Sequence, residues 1–183
     1  MSVRDRARGF SVLRPVALLL AVGAAVVAAA WLAHWFSPAS RLARRTYALA
    51  QSVHLDCEPL PPLEMARRLA ATESALAPDA TAGFVWNESD TWQVEGRREL
   101  KDLHARLLAE APRLGLWLPG LLLGHVRTAP GAIDTTVRSD IRVFGETSFS
   151  GKLAATLHWR KGADGWKIAD AEFRFDEAPP EVP

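Results

Sequence analysis

Apolar residues run from Val16 to Phe36 without a formal charge, and this run dominates the amino-terminal part of the chain. A helix of about 21 residues, rising about 1.5 Å per residue, is long enough to cross a hydrocarbon core of about 30 Å. Helical geometry is expected throughout because an unpaired backbone group in lipid costs several kcal/mol. The pattern therefore predicts a transmembrane helix over residues 16–36, preceded by a cytoplasmic tail over residues 1–15.

Arginines flank the apolar run, with a small excess on its amino side: Arg4, Arg6, Arg8 and Arg14 before it, and Arg41, Arg44 and Arg45 after it. The excess predicts a cytoplasmic amino terminus, hence a single-pass protein of a bacterial inner membrane with a periplasmic carboxyl-terminal domain. The alternative is a cleaved secretory signal, with the small residues Ala28, Ala29 and Ala30 before the cut. The run continues to Phe36 beyond that point, which favours a retained anchor.

Apolar positions three and four residues apart predict three helices after the apolar run. The first covers about Pro38 to Val53 and, with a proline-rich linker, accounts for residues 37–61. The second covers residues 62–76. The third lies between Gly96 and Pro112. Its apolar stripe consists of Leu100, Leu103, His104, Leu107, Leu108 and Ala111.

Further along the chain the hydrophobic period changes to two, which predicts extended runs over residues 116–128, 133–144, 152–161 and 166–175. Residues 80–94 are expected to form a short extended segment followed by a loop. Helices first and strands afterwards predict an α+β domain over residues 62–176, with about three helices packed on a curved antiparallel sheet of about four strands. The Pro- and Glu-rich tail, residues 177–183, is predicted to be disordered.

Alternation also predicts which side of each strand is buried. On the second run, Ile133 and its odd-numbered successors form the apolar face. The opposite, charged face is interpreted as solvated or as a cross-strand network, with a partner surface as the alternative. On the third run Trp159 lies on the apolar face, and His158 points away from it. The apolar stretch from Leu116 to Leu123 is interpreted as a buried strand start, the alternative being an exposed docking patch.

Composition excludes several classes of function. The 183 residues include 22 basic and 21 acidic ones, and this balance argues against a nucleic-acid surface. Cys57 is the single cysteine, so the chain has no internal disulfide and too few thiolates for a cysteine metal site. An intermolecular disulfide remains open to Cys57. We expect no metal and no cofactor.

Four short segments occur in an informative order: Ala75–Ala80, Val94–Leu100, Leu157–Arg160 and Asp164–Ile168. Together they resemble the nuclear transport factor 2-like (NTF2-like) superfamily, including its SnoaL-like branch, over about Leu63 to Phe175. The resemblance implies a cone-shaped domain with an internal pocket closed by helices, and dimerisation through the outer face of the sheet. Because the superfamily includes isomerases, dehydratases, ligand binders and assembly modules, it leaves the function open.

Five side chains are candidates for general acid–base chemistry: Asp90, His104, Asp134, Asp140 and His158. No pair of them forms a recognisable catalytic motif, and the one tyrosine, Tyr47, lies in the first predicted helix, so isomerase chemistry of the family type is not expected. His104, on the apolar stripe, is the catalytic candidate to test first. The ligand-pocket candidates are Trp86, Trp92, His104 and Trp117, although core packing is the default role of a tryptophan.

These observations favour a membrane-anchored periplasmic interaction or assembly module without catalysis. A bilayer anchor suits a membrane or periplasmic protein partner better than a freely diffusing substrate, and lipid itself is an expected contact. The alternative is a small apolar-ligand-binding protein or an enzyme that uses the cone pocket.

Overall fold

The computed structural model describes residues 24–88, 90–145 and 148–177. The predicted cytoplasmic tail, the first eight residues of the predicted transmembrane helix and residues 178–183 of the predicted disordered tail lie outside these ranges. Residues 24–35 are helical with exposed side chains, and the rings of Trp31 and Trp35 stack 5.5 Å apart. Within the described ranges, no helix combines the length and apolarity that crossing a membrane requires.

The chain divides into two compact units, residues 1–41 and residues 42–183. Helix α1 (Pro38–Ser52) runs across the division. Helix α2 is Pro62–Ala75, with a proline in its first turn, where a missing backbone N–H costs nothing. Helix α3 is Arg97–Ala109 and ends before Pro112, as its pattern predicts. All three helices lie where the spacing of apolar residues predicts them, to within two residues.

Among the described residues, the larger unit contains a curved sheet of eight strands, so the prediction of about four strands was wrong. The strands are β1 (Leu55–Asp56), β2 (Leu76–Trp86), β3 (Asp90–Glu95), β4 (Leu114–Trp117), β5 (Leu122–Ala129), β6 (Ala132–Gly145), β7 (Phe149–Gly162) and β8 (Gly165–Glu177). Their order in the sheet is β1-β4-β6-β7-β8-β2-β3, and β5 pairs with β6. The α+β fold class is confirmed.

Two further differences concern β2 and β3. The segment predicted as a short extended piece and a loop is an antiparallel hairpin, in which Phe84 pairs with Trp92. The sheet is mixed rather than antiparallel, because β2 runs parallel to β8 with Thr81 opposite Asp170 and Trp86 opposite Phe175. Alternation of polar and apolar residues identifies a strand but carries no information about its direction or its neighbour.

The core lies on the face of the sheet that the alternation predicts. Every second residue of β6 from Ile133 to Val143 is buried, as are Leu153 to Trp159 at the same spacing on β7. Two apolar clusters are centred on Leu55 with Leu108 and on Ile141 with Leu153. The core thus joins α3 and the central strands, leaving the opposite face of β6, β7 and β8 to polar side chains.

A polar group lies inside this core beside the largest fully buried side chain, Trp159. The hydroxyl groups of Thr46 on α1 and Thr135 on β6 are 2.8 Å apart. Trp159 donates from Nε1 to Thr135 Oγ1 over 2.9 Å, and the guanidinium carbon of Arg45 lies 5.2 Å from its ring centroid. These contacts fix α1 on the sheet and satisfy polar atoms that would otherwise be buried at a cost.

Candidate functional site

Five aromatic rings form rows across β3, β2 and β8, and we call this set the aromatic array: Phe84, Trp86, Trp92, Phe173 and Phe175. Phe84 stacks on Trp92 and on Phe173, with centroid separations of 5.0 Å in both cases. Trp86 stacks on Phe175 at 5.5 Å. Each stacked pair joins residues directly opposite one another in the strand register, so the pairing of β2 with both neighbours creates the array.

The array is accessible to solvent at Trp92, whereas Phe173 and Phe175 pack against the buried cluster of Ile141, Val143 and Leu153. Trp92 on β3 is 46% exposed, and the other four members are half-buried. Phe149, at the start of β7, meets Trp86 edge-on at 5.1 Å and extends the apolar surface. Of the acid–base candidates, Asp90 lies opposite Trp86 in the register and is exposed. Such a surface can bind an apolar or planar group by stacking and by exclusion of water.

Two of the four predicted pocket residues, Trp86 and Trp92, belong to this array, whereas His104 does not. His104 lies on α3 facing α2, and its Nδ1 is 2.9 Å from Thr72 Oγ1. Its Nε2 is buried without a well-aligned hydrogen-bond partner among the described residues. Burial lowers the pKa of His104; the backbone of Ser52 acts in the opposite direction, and the charge of Arg68 adds to the lowering. This environment is that of a neutral histidine at a helix–helix contact.

The lowered pKa of His104 predicts that the domain loses stability as the pH falls. Below the ordinary value of 6.5, the unfolded chain protonates this histidine while the folded chain does not, so the free energy of unfolding falls as the pH decreases. The effect is at most about 1.4 kcal/mol per pH unit. Urea unfolding at about pH 7.5 and about pH 5.5 measures it. We expect His104→Gln to reduce this pH dependence and His125→Gln, on exposed β5, to leave it unchanged. An undiminished dependence in His104→Gln would contradict the assignment.

Trp117, the remaining predicted pocket residue, lies on the other face of the sheet. It is 43% exposed, stacks on His54 at 5.8 Å, and donates from Nε1 to Asp56 Oδ1 over 3.0 Å. Leu122 is 68% exposed, so the expectation of a buried strand start holds only in part, and the apolar stretch ends at the surface. The structure therefore does not bring Trp117 and the array into one pocket.

A cavity of about 490 Å³ lies near the start of α3 and is charged rather than apolar. Its lining residues are Glu73, Pro78, Arg97, Arg98, Lys101 and Asp102. Lys101 Nζ is 2.6 Å from Glu73 Oε2, and this hydrogen bond lowers the pKa of Glu73. The cavity does not have the apolar lining that the predicted ligand pocket requires.

The charged face of the central strands forms the cross-strand network that its alternation predicts. His158 Nδ1 on β7 is 2.9 Å from Asp134 Oδ1 on β6, and its Nε2 is 3.9 Å from Asp170 Oδ2 on β8. Thr81 on β2 donates a hydrogen bond to Asp170 Oδ1. Asp140, the remaining acid–base candidate, lies on the same strand face as Asp134 and is exposed.

Comparison with solved structures places this arrangement among known folds. The chain is similar to an NTF2-like protein of unknown function from Pseudomonas putida KT2440, with 14% identity and a TM-score of 0.50 over 74% of this chain and 84% of that one. The domain has the NTF2-like fold. An NTF2-like protein from Cytophaga hutchinsonii is similar at 10% identity and a TM-score of 0.50, over 76% of this chain and 99% of that one.

A third similar structure is the CaMKII hub of S. rosetta, at 14% identity and a TM-score of 0.53, over 76% of this chain and 97% of that one. By sequence, no family profile and no curated protein matches the chain. At such low identity the structural likeness establishes the fold alone. The sequence resemblance to NTF2-like proteins is thus confirmed for the fold.

The array residues missed by the sequence analysis are Phe84, Phe173 and Phe175. A signal was present, since Phe84 alternates with Trp86 and Phe173 with Phe175. The sequence pattern does not reveal the parallel pairing of β2 with β8, and this pairing places the two alternating pairs side by side.

Proposed function

We propose that the NTF2-like domain is a protein-interaction module, held at a bacterial inner membrane by the helix predicted over residues 16–36, with the aromatic array as its docking surface. The observation that carries the proposal is the accessibility of stacked rings at an end of the sheet. Trp92, the outermost ring, is 46% exposed. Large exposed apolar patches on soluble domains commonly mark interaction sites, and tryptophan is enriched among residues that dominate binding energy.

The position of the array in the sheet suggests what kind of partner it accepts. Strand β3 ends the sheet order, so one of its backbone edges has no strand partner among the described residues. An extended segment of another protein can pair with such an edge while its apolar side chains contact Trp92 and Phe84. We therefore propose as partner an apolar segment of a membrane or periplasmic protein.

The proposal assigns the domain no catalytic step. The five array side chains are all aromatic hydrocarbon or indole groups without a titratable proton near neutral pH. Anchorage supports the same choice, because a bilayer anchor concentrates a protein near membrane partners and offers little advantage for a diffusing substrate. The cytoplasmic amino terminus and periplasmic domain remain predictions from the arginine distribution.

A second candidate function is the binding of a small apolar molecule. The planes of Phe84 and Trp92 are only 6° apart, and those of Phe84 and Phe173 only 10° apart. Such a row of nearly parallel rings favours a flat apolar ligand that extends the stack at the exposed Trp92. The NTF2-like fold is compatible with this function as well as with assembly.

Site-specific photocrosslinking in bacterial membranes tests both proposals. Trp92 is replaced by a photoreactive benzoylphenylalanine in the full-length chain, and carbonate-washed membranes are irradiated. We expect the chain to stay with the membranes and to form one discrete protein adduct. The matched control carries the same photoreactive residue at Arg174, which is exposed on β8 next to Phe173 but alternates to the other face. We expect no such adduct from the control.

The outcomes separate the alternatives. An adduct containing a different protein supports the interaction module, and one at twice the mass of the 20.0 kDa chain identifies a second copy of the chain as the partner at the array. An adduct whose mass exceeds that of the chain by a few hundred daltons supports the small apolar ligand instead. Recovery of unmodified monomer alone, or of equal adducts from both positions, would refute a docking role for the array. Release of the chain by carbonate would refute the anchor.

A further inference from the structure

Three metal-ligating side chains converge on the polar face of β7 and β8, and with an adjacent aspartate on β6 we call them the His158 cluster: Asp134, His158, Asp170 and Glu172. One potential ligand atom each from His158, Asp170 and Glu172 lies within 4.8 Å of the others. His158 and Asp170 are opposite one another in the register, and Glu172 is two residues further along the same strand face. The cluster is separate from the aromatic array, because Phe173 and Phe175 alternate to the other face of β8.

Hydrogen bonds orient two of the three converging groups. Asp134 Oδ1 accepts from Nδ1 of His158 over 2.9 Å when that nitrogen carries the proton, which leaves the lone pair of Nε2 directed away from Asp134. Thr81 occupies Oδ1 of Asp170, and the free Oδ2 of that carboxylate lies 3.9 Å from His158 Nε2. A histidine held by a carboxylate through its second nitrogen is the usual arrangement of a metal-ligating imidazole.

The charges around the His158 cluster favour a cation. Three carboxylates surround one imidazole, and across the described ranges no lysine or arginine lies within salt-bridge distance of Asp134, Asp170 or Glu172. Glu172 is exposed, and the other two converging side chains are partly exposed, so an ion from solution has access. A divalent ion between them would offset the repulsion between Asp170 and Glu172.

We propose that His158, Asp170 and Glu172 bind one divalent transition-metal ion of the zinc class, with Asp134 and Thr81 holding His158 and Asp170 in place. One nitrogen and two carboxylate oxygens are ligands that zinc accepts, and water would complete a four-coordinate site. Tetrahedral zinc with bonds of about 2.0–2.1 Å requires ligand atoms about 3.3 Å apart. Reaching that spacing from the observed separations, which are all within 4.8 Å, requires rotation of the exposed Glu172 side chain and a shift of Asp170 toward His158. Magnesium is disfavoured because it requires oxygen ligands in octahedral geometry.

Calorimetric titration of the full-length chain with zinc tests the site, after purification in mild detergent and removal of metals by a chelator. We expect zinc binding to weaken at least 10-fold in His158→Gln and in Glu172→Gln, and about 10-fold in Asp134→Asn, whose side chain acts through His158. His125→Gln is the matched control, because His125 is an exposed strand histidine outside the cluster. We expect it to bind zinc like the unaltered chain. Magnesium is expected to compete weakly in every variant.

Circular dichroism in the presence of chelator shows whether each variant folds. We expect Glu172→Gln to disturb folding least, because the Glu172 side chain is exposed. The proposal is overturned if the unaltered chain shows no zinc binding, or if Glu172→Gln and the folded His158→Gln retain unaltered affinity. Reduced affinity in His125→Gln equal to that in His158→Gln would also overturn it, since the binding would then be nonspecific. None of these results depends on whether the aromatic array docks a partner.

Discussion

Replacing Trp159 by alanine is expected to lower the free energy of unfolding by about 3–5 kcal/mol, the range for deleting a large aromatic side chain from a core. The side chain has no exposed surface and carries two further interactions: a hydrogen bond from Nε1 to Thr135 and the contact with the Arg45 guanidinium. Its loss leaves a cavity between α1 and β7 and frees one acceptor of Thr135. Urea unfolding of the full-length chain, followed by circular dichroism, measures the change.

Two variants separate the causes of that loss. Trp159→Phe keeps most of the apolar volume but removes the indole donor, so we expect a smaller loss of about 1–3 kcal/mol. Trp117→Ala deletes the same side chain at a site that is 43% exposed, and the loss there should be well below that of Trp159→Ala. Equal losses at positions 117 and 159 would show that Trp159 is not the packed centre of the domain.

Replacing Gly145 by alanine is expected to destabilise the domain by about 2–4 kcal/mol through the backbone rather than through lost contacts. Gly145 ends β6 with a φ of 133°, a conformation that side chains rarely tolerate. A Cβ at this position would also lie 2.1 Å from the carbonyl oxygen of Arg113. Because the obstacle is main chain, the pairing of β6 with β4 must shift to relieve it. The midpoint of thermal unfolding reports the loss.

Gly162 is the matched control for this substitution. It is also a strand-end glycine, but it lacks the positive φ, and a Cβ there would approach no atom more closely than the Gly165 carbonyl oxygen at 3.9 Å. Gly162→Ala should therefore change stability by less than about 1 kcal/mol. If the two alanine variants unfold at the same temperature, the close approach of β4 to Gly145 is not what restricts this position.

Two of the four pocket residues predicted from the sequence lie in the candidate site, and two do not. As large aromatic residues, Trp86 and Trp92 are pocket candidates from the sequence alone, and the structure places both in the aromatic array. A histidine on an apolar helix stripe is conspicuous in the sequence, yet the hydrogen bond between His104 and Thr72 shows that His104 lies at a helix–helix contact. Trp117 lies on the opposite sheet face because the register pairs it with Arg142. Spacing shows which side of one element a residue occupies, whereas a pocket requires knowing which elements meet.

The His158 cluster also shows that local sequence patterns do not reveal which strands meet. Alternation correctly directed His158 away from the apolar face and away from a cone pocket. Its direct partners are Asp134 on β6 and Asp170 on β8. Asp170 in turn accepts a hydrogen bond from Thr81 on β2, which is 89 residues away in sequence. A search for metal ligands by local spacing, such as paired cysteines or histidines on one helix, cannot detect ligands that meet only when strands pair side by side.

By itself the sequence determined where the three helices lie, which faces of β6 and β7 are buried, and that the fold class is α+β, because these properties follow from local periodicity and from the cost of exposing apolar side chains. Only the tertiary structure decided the number of strands and the parallel pairing of β2 with β8, which creates the aromatic array and brings Thr81 to Asp170 of the His158 cluster. Strand partners and directions are selected by the free energy of the whole packed sheet, and that choice involves residues up to about 90 positions apart, as with Thr81 and Asp170.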